Sequence, residues 1–169
     1  MNQISEIYLS RAENELIAAQ ILNEVSMNNT LQKEQFKLEK DITFYSSVIS
    51  HCYYCIFYTS KAILINEGIK TDMPNVHQKT LSAFNKFLVK TGKLDEGLIK
   101  IYEDMAVKAD ALLSIFSLEK GKRGVFTYQT LPQANVEPAK ESLGNADIFF
   151  KTIGKYLREQ DTEKEQSNE

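Results

Sequence analysis

The stretch from Ile42 to Gly68, ITFYSSVISHCYYCIFYTSKAILINEG, constrains the fold more than any other part of the chain. Apolar residues recur at Ile42, Tyr45, Ile49, Cys52, Ile56 and Ile63, close to helical spacing. Phe44, Val48, Cys55, Tyr58, Ala62 and Ile65 fill the other faces. A helix that is apolar nearly all round is a central one, covered by neighbours on several sides. The uncharged window from Ile42 to Ser60 is long enough to raise the question of a membrane span. Thr43, Ser46, Ser47, Ser50, His51, Thr59 and Ser60 are too many polar groups for a lone lipid-facing helix. The pattern therefore predicts a core helix and no membrane contact.

The remaining segments read as material for covering that helix. Leu9, Ala12, Leu16, Ala19 and Leu22 form one stripe of a helix over about Ser5 to Val25, with Ser5 as its N-cap. The polar segment from Ser26 to Lys40 reads as a loop. Gly68 stands where a left-handed C-cap residue belongs, and Pro74 and Asn75 punctuate the next loop. A helix from Val76 to Lys90 turns Leu81, Phe84 and Leu88 inward and ends at Gly92. Another, from about Asp95 to Leu118, carries Leu98, Ile101, Met105, Ala109, Leu112 and Phe116. The last, capped near Asn135, carries Val136, Ala139, Leu143, Ala146, Phe150, Ile153 and Leu157. Gly144 and Gly154 interrupt it, which close approach of a neighbouring helix would offset. The expected fold is all-α, an up-and-down antiparallel bundle of four or five helices. It forms a single domain over residues 1–158, with a charged, disordered tail over 159–169.

Bulk properties narrow the function. Seven Gly and three Pro are few for an all-β or loop-rich protein. A net charge of −3 gives no global basic field, so any nucleic-acid contact must come from a local patch. The start, MNQISEIYLSRAENE, has charges where a signal peptide needs an apolar run, and with two cysteines the expectation is a reducing cytoplasm. Cys52 and Cys55 form a CxxC without a second ligand pair for zinc and without the strand of a thioredoxin-like motif, so they read as core residues. Neither His51 nor His77 stands three residues after a Glu, so the di-iron bundle signature is absent. His51 reads first as a hydrogen-bonded structural histidine, and His77 as a helix-terminus residue. No metal or cofactor is expected.

The informative loop is Lys120-Gly121-Lys122-Arg123-Gly124-Val125-Phe126-Thr127-Tyr128. Three cations sit together in an acidic chain, two glycines let the backbone fold around an anion, and Phe126 and Tyr128 offer rings for base stacking. The competing reading is a solvated loop anchored by two aromatics.

These residues carry a resemblance. YYCIFYTSKAILINEG, then Val76-His77, then AFNKFLVKTGKL, and finally AKESLGNADIFFKTIGKYL resemble the HEPN superfamily of nucleotide-binding helical bundles. The branch most similar has a core helix of the kind YYAMFYAAKALL. The match covers about Phe44 to Leu157. It implies a bundle that often dimerises, in a family where many members are toxins paired with a small nucleotidyltransferase antitoxin. Its ribonuclease members cleave RNA without metal, using an Arg that holds the scissile phosphate and a His four to six residues beyond it. Arg123 fits that Arg, and Tyr128 stands in the His place. An unperturbed Tyr, with a pKa near 10, is a poor base at neutral pH. That departure counts against turnover and leaves the anion-binding role of Arg123 intact. The expected function is RNA or nucleotide binding as the toxin-like half of such a pair, in a homodimer. The expected surface is Lys120, Lys122, Arg123, Phe126 and Tyr128, with His51 and Tyr54 as further candidates. The alternative is a non-catalytic helical interaction or oligomerisation protein.

Overall fold

The computed structural model describes residues 1–121 and 136–166, with side chains described to residue 112 and again from 136, apart from 164 and 165. The described residues form an all-α bundle without a strand. Its helices are α1 (Gln3–Met27), α2 (Asn29–Glu34), α3 (Tyr45–Asn66), α4 (Val76–Phe84, continued by a π-helical turn over Asn85–Val89), α5 (Glu96–Gly121) and α6 (Val136–Gln166).

α3 is the central helix, packed against α1, α4, α5 and α6. Its apolar residues meet this need on all sides: Val48, Cys52, Cys55, Ile56, Ala62, Ile63 and Leu64 are fully buried. α3 is long and apolar enough to cross a membrane, but 67% of that window is buried inside the bundle. Packing against the other helices thus accounts for its composition.

Long-range hydrogen bonds fix the directions. Ser5 Oγ donates to Ala62 O (2.7 Å), and Phe44 N donates to Ser26 Oγ (2.7 Å), so α1 runs antiparallel to α3. Asn66 Nδ2 donates to Gln160 Oε1 (3.2 Å), so α6 ends beside the end of α3. Tyr102 meets Phe149 (6.0 Å between ring centres) and Lys108 pairs with Glu141 (2.9 Å), so α5 runs antiparallel to α6. Between these helices, Phe84, Tyr102 and Phe149 close the core as an aromatic trio. Tyr102 meets both phenylalanines edge to face, at 5.9 Å and 6.0 Å between ring centres.

Several local expectations need correction. Ser5 does not cap α1: Asn2 does, its side chain accepting from Ile4 N (2.9 Å), while Ser5 is buried against α3. The segment after Ser26 is not simply a loop. α2 forms there and buries Gln32, whose amide donates to Val25 O (2.7 Å) and Ile42 O (2.9 Å) and accepts from Ile42 N (2.9 Å). Among the described residues no helix approaches Gly144 closely: a Cβ there would meet nothing within 4 Å, and at Gly154 it would meet the Arg158 side chain at 3.4 Å. α6 continues through Gln166, and the N-terminal amine pairs with Asp161 at 2.6 Å.

Two connections set up the site. Gly68 (φ +76°) ends α3 with Ile69 N donating to Leu64 O (2.8 Å) and Gly68 N to Ile65 O (3.0 Å), the paired bonds of a Schellman cap. The chain then returns under Lys61, a buried lysine that donates to Thr71 O (2.7 Å) and Thr71 Oγ1 (3.0 Å). Thr71 Oγ1 lies 2.9 Å from Thr80 Oγ1 of α4. These bonds pin the first turns of α4 against the middle of α3.

Candidate functional site

The pinned start of α4 gives His77 its place. Its ring stacks on Phe57 (4.1 Å between centres) and on Tyr53 (5.7 Å, 22° between planes). Its Nδ1 lies 2.9 Å from the Tyr53 hydroxyl. His77 does stand near the start of a helix, as its position in the sequence implies, but it faces α3 and joins a ring cluster.

That cluster continues along α3. Tyr53 meets Tyr54 (5.6 Å), Tyr54 stacks on Tyr58 (6.1 Å), and Tyr58 meets Tyr8 of α1 (6.1 Å). The Arg11 guanidinium lies 5.9 Å from the Tyr8 ring centre and 6.0 Å from that of Tyr58. The result is an aromatic belt across the α1–α3–α4 surface, with a cation at one end. Tyr54, 38% exposed, is its most open described ring. One turn earlier on α3, His51 Nδ1 meets Glu15 Oε2 of α1 at 2.5 Å. His51 is thus a hydrogen-bonded histidine, placed at a partly exposed seam and not in the core.

At the other end of the belt lies a cavity of about 310 Å³, lined by Tyr53, His77, Gln78, Leu81, Tyr102, Ala106 and Asp110. Burial lowers the His77 pKa below its usual 6.5, with Asp110 pulling the other way. Burial also raises the Tyr53 phenol to about 12, assisted by Asp110 and Tyr54. At neutral pH the pair is therefore uncharged, with a proton between Tyr53 Oη and His77 Nδ1.

Tyr102 is the unusual member. Its side chain is fully buried and, among the described residues, its hydroxyl has no hydrogen-bond partner. Burial drives its pKa well above 10, and Tyr53 adds to that. Ser60 offsets a little of the rise without reaching hydrogen-bonding geometry, and its own proton goes to Ile56 O (2.9 Å). An unmet hydroxyl is costly in a core, and Tyr102 is also among the residues that line the cavity.

Of the residues singled out from sequence, His51 and Tyr54 lie on the same side of α3, within the belt region. Lys122, Arg123, Phe126 and Tyr128 lie outside the described residues. Lys120 falls in the last turn of α5, with its side chain likewise outside them. Sequence reasoning missed Tyr102 and Asp110. A signal was present: Leu98, Tyr102, Met105, Ala109 and Leu112 form an unbroken stripe of threes and fours, and all five are buried. Choosing Ile101 in place of Tyr102 hid the only polar tip in that stripe. Cys52 and Cys55 are free, buried thiols, as expected of core residues. Among the described residues no three His, Cys, Asp or Glu side chains converge as a metal site would require.

No family model matches the chain, and no solved structure matches it. The chain is similar to a UPF0332 protein of Thermotoga maritima, with 29% identity over 113 residues, covering 67% of this chain and 73% of that relative.

Proposed function

We propose that this protein is a HEPN-like bundle that binds RNA or nucleotide and acts as the toxin-like half of a pair with a nucleotidyltransferase. The observation that carries this reading is the two-sided character of α3. Its YYCIFYTSKAILINEG stretch packs one side into the core and turns Tyr53, Tyr54 and Tyr58 to the surface belt, where Arg11 lies beside the rings. Stacking rings with a nearby guanidinium suit single-stranded bases, whatever their sequence. The basic Lys120-Lys122-Arg123 segment supplies the phosphate contact in this reading. Lys120 lies in the last turn of α5, and Lys122 and Arg123 follow it in the sequence. The likeness to the UPF0332 protein is compatible with this proposal and names no activity.

The experiment is fluorescence anisotropy with a labelled single-stranded oligoribonucleotide, beside Arg123→Ala. Binding that weakens about tenfold in the variant is expected. Binding that ignores the substitution, or no binding at all, overturns the reading. Incubation of the same RNA in excess EDTA separates binding from turnover. With Tyr128 in the place of a general base, the RNA should stay intact.

A second reading, a non-catalytic interaction module, is favoured by one feature. Ile7, Ile17 and Ile21 are exposed on the outer side of α1, opposite its buried stripe. A strictly monomeric protein by light scattering would count against that reading.

A further inference from the structure

We infer that the cavity between α3, α4 and α5 is a nucleobase site, which takes a planar, uncharged nitrogen heterocycle and leaves any phosphate outside. The inference deepens the proposed function and rests on it for the choice of bases as the ligand class.

Three observations carry it. The first is size: about 310 Å³ admits one mono- or bicyclic ring system. The second is charge. Asp110 is an acceptor at the wall, and among the described residues no cation lines the cavity. A phosphate or carboxylate would meet repulsion there, while an exocyclic amine or ring N–H would find its acceptor. The third is Tyr102, which lines the cavity and whose buried hydroxyl has no partner among the described residues. A heterocycle with a carbonyl or ring nitrogen opposite its N–H edge would meet Asp110 with one side and Tyr102 with the other. Gln78, which both donates and accepts, can follow either base edge, and Leu81 and Ala106 supply apolar contact. A base held this way is read by its hydrogen-bonding edge, whereas the belt outside stacks bases without reading them.

The neutral state of His77 fits the same ligand. A charged imidazolium in the wall would draw phosphate inward, and burial opposes that charge.

The test uses adenosine, guanosine, cytidine and uridine at millimolar concentration, read by the NMR shift of the His77 ring proton. Tyr102→Phe and Asp110→Asn serve as variants. At least one nucleoside should shift His77 with saturation, and each variant should weaken that binding about tenfold. The matching 5′-monophosphate should bind no better than its nucleoside. A shift caused by a short oligoribonucleotide but by no nucleoside would keep the nucleobase as ligand and make the strand its source. Arg123→Ala should leave nucleoside binding unchanged, which separates this cavity from the basic segment.

If neither nucleosides nor oligonucleotide move His77, the inference fails even where RNA still binds elsewhere. Binding indifferent to both variants overturns it too. So does an Asp110-dependent shift with putrescine and none with nucleosides, which would make this an amine site.

Discussion

The Tyr53 hydroxyl and His77 Nδ1 lie 2.9 Å apart with their rings stacked at 5.7 Å, one from the central helix and one from the first turn of α4. This contact, with Phe57 stacked on the same imidazole, ties the belt on α3 to the cavity wall. Burial favours the uncharged imidazole in this contact.

The sign of the pH dependence follows from that state. Burial holds the folded-state pKa of His77 below its unfolded value of 6.5. Its contribution to stability is therefore fully present above pH 6.5 and is lost as pH falls through the folded pKa. An NMR titration should place the His77 midpoint below 6.5. Asp110→Asn removes the one charge that opposes the shift and should move the midpoint lower still. A midpoint above 6.5 in the wild type would contradict the buried, neutral reading.

Tyr102 separates ring from hydroxyl. Tyr102→Phe keeps the edge-to-face contacts with Phe84 and Phe149 and deletes an unmet polar group. Stability in urea should be unchanged or rise, by up to about 1 kcal/mol. Tyr102→Ala empties the centre of the trio and should cost about 3–5 kcal/mol. A clear loss in Tyr102→Phe would mean that the hydroxyl has a partner.

Gln32 provides the opposite case, a buried amide with every bond made. Its three contacts reach Val25 and Ile42, so it fastens the α1–α2 corner to the segment entering α3. Gln32→Leu leaves two carbonyls and one N–H without partners and should cost about 3 kcal/mol, measured by chemical denaturation. A neutral effect would show that water replaces the amide.

How legible the molecule was in its sequence depended on how many residues a feature needs. α3 was plain because so long an apolar run needs cover from several helices, and Gly68 because a left-handed cap follows from glycine's lack of a Cβ. Gln32 was not, since its burial rests on two carbonyls ten and seven residues away, and a polar letter in a polar segment says nothing of that. Tyr102 was hidden by an adjacent isoleucine that fits a helical stripe nearly as well. The cavity itself was out of reach, because it needs His77 and Asp110 to meet across two helices. The glycines in α6 misled, since their cost is not offset by a tight helix crossing.

The cysteines offer a simple check of the core. Burial pushes the Cys52 thiol up to about 12 and raises that of Cys55 as well. Neither should react with a thiol reagent in the native protein, and both should react once it is unfolded. Rapid native labelling would place the Cys52–Cys55 face of α3 outside the core.

The most direct test of RNA binding by the basic segment is the salt dependence of the RNA affinity. Each phosphate neutralised on a single strand contributes a slope of about −0.7 in log K against log salt. The triple variant Lys120→Ala, Lys122→Ala, Arg123→Ala should therefore bind more weakly and flatten the slope by about 2. Equal affinity and equal slope in wild type and variant would contradict the proposed function.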